Sequence, residues 1–302
     1  MTAPRWRRAA LALVLAAAGA GAQAGSPGYC DAQLKLDGTQ QDRLLRVAAV
    51  VRDTLAASGT RVALIARSGQ DLARFGQRYS HAGLSLAGSA NAPWSVRQLF
   101  FSCDEKRPRL FDQGIAGFVL GTENPSLGYV SLLLLPPEVA APLEQRALDN
   151  AYALRLLAGT YSANAYPFEV HFQNCNQWVA ELLASTWGDL PDGADLRRRA
   201  QAWLREQGYV PTVFDVGSPF IMMLGWFIPY VHSLDHPLED RAQSIYRVSM
   251  PASLEAFVQA RVPGAERVEI CHDERKVVLR RGGVPLGPGC EAAEGDRVVA
   301  LD

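Results

Sequence analysis

Two runs of strand-forming residues, Tyr79 to Leu86 and Trp94 to Phe101, are separated only by the turn residues around Gly88 to Pro93. A connection that short joins antiparallel neighbours, because a parallel pair needs a crossover of about a dozen residues or more. The chain is therefore committed to an antiparallel sheet, and other segments must supply the layer that covers it. Arg61 to Arg67, rich in Val, Leu and Ile, and Gly128 to Leu135, closed by Pro136-Pro137, read as further strands. Helical spacing appears over residues 40–58, where Leu44, Val47, Val51 and Leu55 form a stripe that ends at Gly59. It recurs from Val139 to Leu157, through Leu143, Ala147 and Leu154, and again from Cys175 to about Ser185, through Trp178, Val179, Leu182 and Leu183. A last amphipathic helix is expected from Asp192 to Gln207, ended by Gly208. The expected fold is α+β: a small antiparallel sheet packed against a Cys-bearing helix, with helical additions, over residues 25–262. From about Pro263 the texture changes. Val268 to Cys271 and Lys276 to Leu279 are short strands, and Gly282-Gly283, Pro285 and Gly287-Pro288-Gly289 punctuate the rest. Residues 263–302 read as a small β-hairpin appendage.

The first 24 residues set the expected compartment. Arg5, Arg7 and Arg8 precede an Ala, Leu and Val run from Ala9 to about Ala18, and Ala22-Gln23-Ala24 supplies a small-x-small cleavage pattern. This is the pattern of a secretory signal peptide, so the protein is expected to be periplasmic, with no transmembrane span in the mature chain. Removing three Arg leaves 27 basic against 31 acidic residues. A mildly acidic protein has no long-range pull on nucleic acid, so none is expected as a partner. Arg197, Arg198 and Arg199 read as a solvated helix face. Five Cys in an oxidising compartment point to two pairs and one thiol left over. Cys271 with Cys290 and Cys30 with Cys103 are the expected pairs, leaving Cys175.

Cys175 lies in the most informative segment, Asn174-Cys175-Asn176-Gln177-Trp178-Val179, where the extended run Glu169 to Phe172 gives way to a helix. Asn174 is a fitting N-cap and places Cys175 in the first turn. Unpaired backbone N–H groups and the helix dipole there favour negative charge, so a thiol at that place has a lowered pKa. The same N–H groups suit the oxyanion of a tetrahedral intermediate. The plain alternative is a small buried Cys near a helix start. A thiolate nucleophile takes an imidazole as its usual base, and His81 lies in a strand among Ser80, Gly83 and Ser85, small neighbours that leave room for substrate. Gln98, on the next strand, offers an amide oxygen to orient the ring; Asp104 and Asp112 are weaker candidates. A structural strand His and a water-facing Gln are the competing readings.

A strand bearing Tyr-Ser-His-Ala-Gly, a partner strand with a polar residue, and a late Asn-Cys-x-x-aromatic-Val at a helix start resemble the circularly permuted NlpC/P60, or papain-like, superfamily over about residues 61–185. The Gln-Asn-x-Asn-Gln-Trp-Val-x-Glu texture at 173–181, with Tyr161-Ser162 and Asp235-His236-Pro237, resembles the bacterial family DUF2145 over most of the chain. The superfamily resemblance implies a permuted papain-like core and a thiol hydrolase or acyltransferase, with Cys175 as nucleophile, His81 as base and Gln98 as the third group. It also implies peptidoglycan peptide, another amide or a lipid ester as substrate, and no cofactor. The third position departs from the usual His, Asn or acid, and Gln orients an imidazole without stabilising imidazolium by charge.

Other segments compete. His171 precedes Cys175 by four residues, but the strand-to-helix junction between them argues against a shared face. His232, Asp235 and His236 have metal-ligand spacing; a surface turn capped by Asp is the ordinary reading, and no metal is expected. Residues 219–231, bracketed by Pro219 and Pro229, are too short to cross a bilayer. They read as a buried helix or packed loop, with a hydrophobic lip for lipid as the alternative. A non-catalytic exported binding protein on the same cleft is the alternative to an enzyme. No phosphate loop, dinucleotide fingerprint or nucleophile-elbow Ser is present.

Overall fold

The computed structural model describes residues 35–224 and 228–301, so the expected leader at 1–24 and the Cys30 end of one expected disulfide lie outside the described residues. Helix α1 (Gly38–Ala56) starts from an Asp37–Gln40 capping box and leads into strands β1 (Val62–Arg67), β2 (His81–Leu86), β3 (Ser95–Ser102) and β4 (Arg107–Gln113). Helix α2 (Ile115–Leu120) and strand β5 (Gly128–Leu134) follow, then α3 (Pro137–Leu148) and α4 (Asn150–Arg155). A short parallel pair, β6 (Thr160–Tyr161) with β7 (Phe172–Gln173), opens onto α5 (Cys175–Trp187) and α6 (Leu196–Glu206). Strand β8 (Thr212–Asp215) pairs with β9 (Ile245–Val248) around α7 (Pro219–Leu224) and α8 (Leu238–Ala242). Helix α9 (Pro251–Arg261) and strands β10 (Glu266–His272), β11 (Lys276–Arg281) and β12 (Arg297–Ala300) come last.

The fold is α+β, and its sheet has eight strands in the order β12-β11-β10-β5-β1-β2-β3-β4, every neighbouring pair antiparallel. It is larger than the small sheet expected. The hairpin expected near the C-terminus is present, but β10 pairs with β5 from Glu266↔Leu134 to His272↔Gly128, so the tail extends the main sheet. Helices cover both faces. Val62, Leu64 and Ala66 of β1 point into a core with Leu143, Trp178, Leu182, Leu204 and Leu254. Ala63 and Ile65 point the other way, toward Leu44, Val51 and Leu55 of α1 and Phe118 of α2. Strands buried on both faces read as unbroken apolar runs, as β1 and β5 do.

Three expectations change. The helix over Val139 to Leu157 is two helices, because Asp149 leaves helical geometry and its carboxylate caps Tyr152 N. Arg197 does not face solvent: it is buried against Glu181. Residues 219–224 form a short helix, yet only Met222 turns inward among the placed side chains, while Phe220, Ile221 and Met223 are exposed. Among the described residues no helix is long and apolar enough to cross a membrane. Cys271 and Cys290 form the expected disulfide, Cys103 is disulfide-bonded, and Cys175 is a thiol.

Candidate active site

Cys175 is the first residue of α5. Asn174 caps the helix, its side-chain oxygen accepting from Gln177 N at 2.7 Å, while its Nδ2 donates to Ala163 O and Ser249 O, both at 3.2 Å. Two residues on, the amide of Asn176 reaches across to β2. Its Oδ1 accepts from Ala82 N at 2.9 Å, and its Nδ2 donates to Ser80 O at 3.3 Å and Ser249 O at 3.1 Å. These bonds explain how a helix start and a distant strand meet. The β2–β3 ladder runs only from Leu86↔Ser95 to Leu84↔Arg97, so the outer edge of β2 is unpaired by β3 at its beginning. Asn176 takes the backbone groups on either side of His81 that a neighbouring strand would otherwise take.

His81 is the first residue of β2 and is 7% exposed; Cys175 is 6% exposed. Both line one cavity of about 430 Å³, with Arg67, Ser80, Phe100 and Gln113 among its other walls. The imidazole stacks on Phe100 with ring centres 4.6 Å apart. Its Nε2 lies 2.8 Å from Gln98 Oε1, and Gln98 Nε2 donates to Gln113 Oε1 at 2.6 Å. Burial pushes the His81 pKa down to about 3; the nearby Arg67 charge acts the same way, and the Gln98 bond opposes both. The resting ring is a neutral imidazole with one donor and one acceptor nitrogen. Gln98 is fully buried on β3, so it is not the water-facing strand residue that competed for this position.

Gly83 serves another purpose than the room for substrate that its size suggested. A Cβ there would meet Val96 Cγ1 at 2.5 Å, Arg97 O at 2.9 Å and Gln98 Cβ at 3.1 Å. Its missing side chain lets β3 cross close to β2 and brings Gln98 up to His81.

The polar residues of the 173–181 segment tie the start of α5 to its surroundings. Glu181 is fully buried and takes both a forked pair from Arg197, at 2.7 and 3.0 Å, and bonds from Gln173 at 2.6 Å, Gln177 at 3.1 Å and Gln201 at 2.7 Å. Gln173 also ties Leu156 O and Ala158 N, and Trp178 Nε1 donates to Ala153 O at 3.3 Å. A buried carboxylate with this many donors is compensated for its lost hydration.

The other candidates lie elsewhere. Asp112 holds Arg97 through a forked pair, with Arg97 Nε at 2.7 Å, and Asp104 sits in the turn between β3 and β4. Asp235 accepts from Tyr166 N at 2.7 Å, and His236 Nε2 meets Asn164 O at 2.7 Å. Their side chains are buried, so the surface turn expected there is an internal tie to the 162–168 loop. His232 stacks on Phe172, and His171 packs edge-on to the same ring. Among the described residues no group of three or more His, Cys, Asp or Glu is placed to hold a metal.

Gln113 and Arg67 escaped the sequence reading. Gln113 ends a strand whose Arg-Pro-Arg start does not look like sheet, and Arg67 stood only as a strand terminus. A sequence profile of the family described as "Uncharacterized protein conserved in bacteria (DUF2145)" matches residues 54–258. No curated protein and no solved structure matches the chain.

Proposed function

The chain belongs to the bacterial DUF2145 family, and on that premise we propose that it is an exported thiol hydrolase acting on an amide or ester bond. One observation carries this reading: Cys175 and His81 line a common cavity, and Asn176 bonds the backbone on both sides of His81. His81 takes the proton of Cys175 at the ring nitrogen not bonded to Gln98. The thiolate then attacks the substrate carbonyl carbon, and N–H groups of the first turn of α5 receive the oxyanion. Collapse breaks the bond to the amine or alcohol, which leaves with the proton from His81, and a thioester stays on Cys175. Water attacks that thioester with His81 as base, releasing the acid and restoring the thiol. Gln98 holds the ring in orientation. The resemblance to the NlpC/P60 superfamily and the signal-like N-terminus together favour cell-wall peptide as substrate and the periplasm as compartment.

The test is intact-mass spectrometry of the protein exposed to an activated acyl ester such as p-nitrophenyl acetate. An acyl adduct on Cys175 that is lost in Cys175→Ala and accumulates at least about tenfold more slowly in His81→Gln is the expected result. No adduct on Cys175 leaves a non-catalytic binding cleft.

A second reading, a lipid ester as substrate, is favoured by the surface beside the cavity. Phe220 is 60% exposed, Ile221 44%, Met223 45% and Ile228 40%, and Tyr230 lines the cavity itself. No Asp, Glu, Lys or Arg occurs from Val216 to Leu234. Amphiphilic aromatic and aliphatic residues without charge suit a membrane interface. Co-sedimentation with phosphatidylcholine vesicles separates the two: Phe220→Ser/Met223→Ser pelleting as wild type discards the lipid reading.

A further inference from the structure

We propose that Gln113 decides, through Gln98, which nitrogen of His81 carries the proton. The consequence for catalysis rests on the thiol-hydrolase reading; the proton position itself does not. His81 is buried, and its Nε2 meets the Gln98 carboxamide at 2.8 Å. That carboxamide has one accepting end and one donating end of nearly the same shape. If oxygen faces the ring, His81 must carry its proton on Nε2, and Nδ1 is the basic nitrogen. If the NH₂ end faces the ring, the proton sits on Nδ1 and the basic nitrogen is spent on Gln98.

Gln98 alone does not choose between these. Gln113 does, because its Oε1 lies 2.6 Å from Gln98 Nε2 and so claims the donating end. The backbone fixes this meeting. Gln113 is paired with Val96, which makes it the diagonal neighbour of Gln98 on one face of the β3–β4 ladder. Helix α2 presses on its other side: a Cβ at Gly117 would meet Gln113 Nε2 and Cγ, both at 2.8 Å. The glycine leaves just the space the carboxamide fills. Gln113 also lines the cavity that holds Cys175. It is a positioning residue, acting on the ring through another side chain.

The test uses full-length protein labelled with ¹⁵N-histidine, in which two-bond ¹H–¹⁵N correlations distinguish the two imidazole tautomers; His81→Gln identifies the signal. Wild type and Gln113→Glu, whose oxygens only accept, are expected to carry the proton on Nε2. Gln113→Lys, which only donates, is expected to turn Gln98 over and move the proton to Nδ1. Iodoacetamide should then alkylate Cys175 roughly tenfold or more slowly in Gln113→Lys than in Gln113→Glu. Should the lysine variant fail to fold, Gln113→Leu, which removes the acceptor without adding charge, is expected to show both tautomers. A wild-type proton on Nδ1, or an unchanged Nε2 proton in the lysine or leucine variant, overturns the proposal. If the tautomer follows residue 113 while Cys175 is inert in every protein, the hydrolase reading falls and the positioning role stands. If Cys175 is reactive and the tautomer ignores residue 113, only the positioning role falls.

Discussion

Asn176 does at the scale of one side chain what the two long-range partners cannot do alone. Strands β3, β4 and β5 lie between Cys175 and His81 in sequence, and the Asn176 amide is the bridge between their backbones. Replacing it with Ala strands Ala82 N in a buried setting, and an unsatisfied buried donor costs about 1–3 kcal/mol. Asn176→Asp keeps that acceptor but turns the donations to Ser80 O and Ser249 O into repulsions. Both variants should lower the urea midpoint, Asn176→Asp by at least as much as Asn176→Ala; a midpoint within error of wild type would show that the bridge is not needed. As candidates, Cys175 and His81 are legible because one opens a helix and the other opens a strand, and Gln98 because its strand follows that of His81 across a short turn. Arg67 and Gln113 were not, because their meaning depends on which strands lie side by side.

At the scale of elements, the junction between β2, β3 and the start of α5 makes the site. The close crossing of β3 over Gly83 and the early end of its ladder with β2 leave the edge that Asn176 occupies. Gly83→Ala should push β3 outward, since the added carbon meets the Arg97 carbonyl as well as a side chain. Overpacking of that kind costs about 1–3 kcal/mol. The thermal midpoint should fall, and the His81 ring signals should move with it because Gln98 sits on the displaced strand; a stable variant with unmoved His81 resonances would contradict this. Strand β4 escaped the sequence reading for a reason of its own. Arg107, Pro108, Arg109 and Asp112 are residues that protect a sheet edge, and β4 is one of the two edge strands. The tail hairpin was legible as a hairpin, but nothing local in β10 says that it will pair with β5 more than a hundred residues earlier.

Across the whole molecule, burial of neutral imidazole sets a pH dependence. His81, His236 and His272 are all held below the ordinary histidine range, chiefly by burial, to about 3 for His81 and about 4 for His272. An unfolded chain binds those protons more readily, near pH 6.5. The stability these groups contribute is therefore complete above about pH 6.5 and is lost as pH falls toward the folded values. For His81 alone, the fall from pH 7 to pH 5 removes about 2 kcal/mol. Urea midpoints at pH 7 and pH 5 should converge more in His81→Gln than in wild type, and equal falls would refute the assignment. The lower-numbered strands and the tail are also joined by a buried carboxylate. Glu269 binds Arg78 at 2.8 Å, Leu286 N at 2.5 Å, Arg267 at 3.1 Å and the Tyr79 hydroxyl, two residues before His81. The tail thus braces the strand that carries the proposed base.

The central claim is that the Cys175 sulfur and the His81 ring act as a pair, and the rate of Cys175 alkylation by iodoacetamide from pH 5 to pH 9 tests it most directly. The pair predicts that wild type reacts well below pH 8, with the neutral His81 ring accepting the thiol proton, and that His81→Gln reacts at least about tenfold more slowly over the same range. Superimposable curves for the two proteins would contradict the claim.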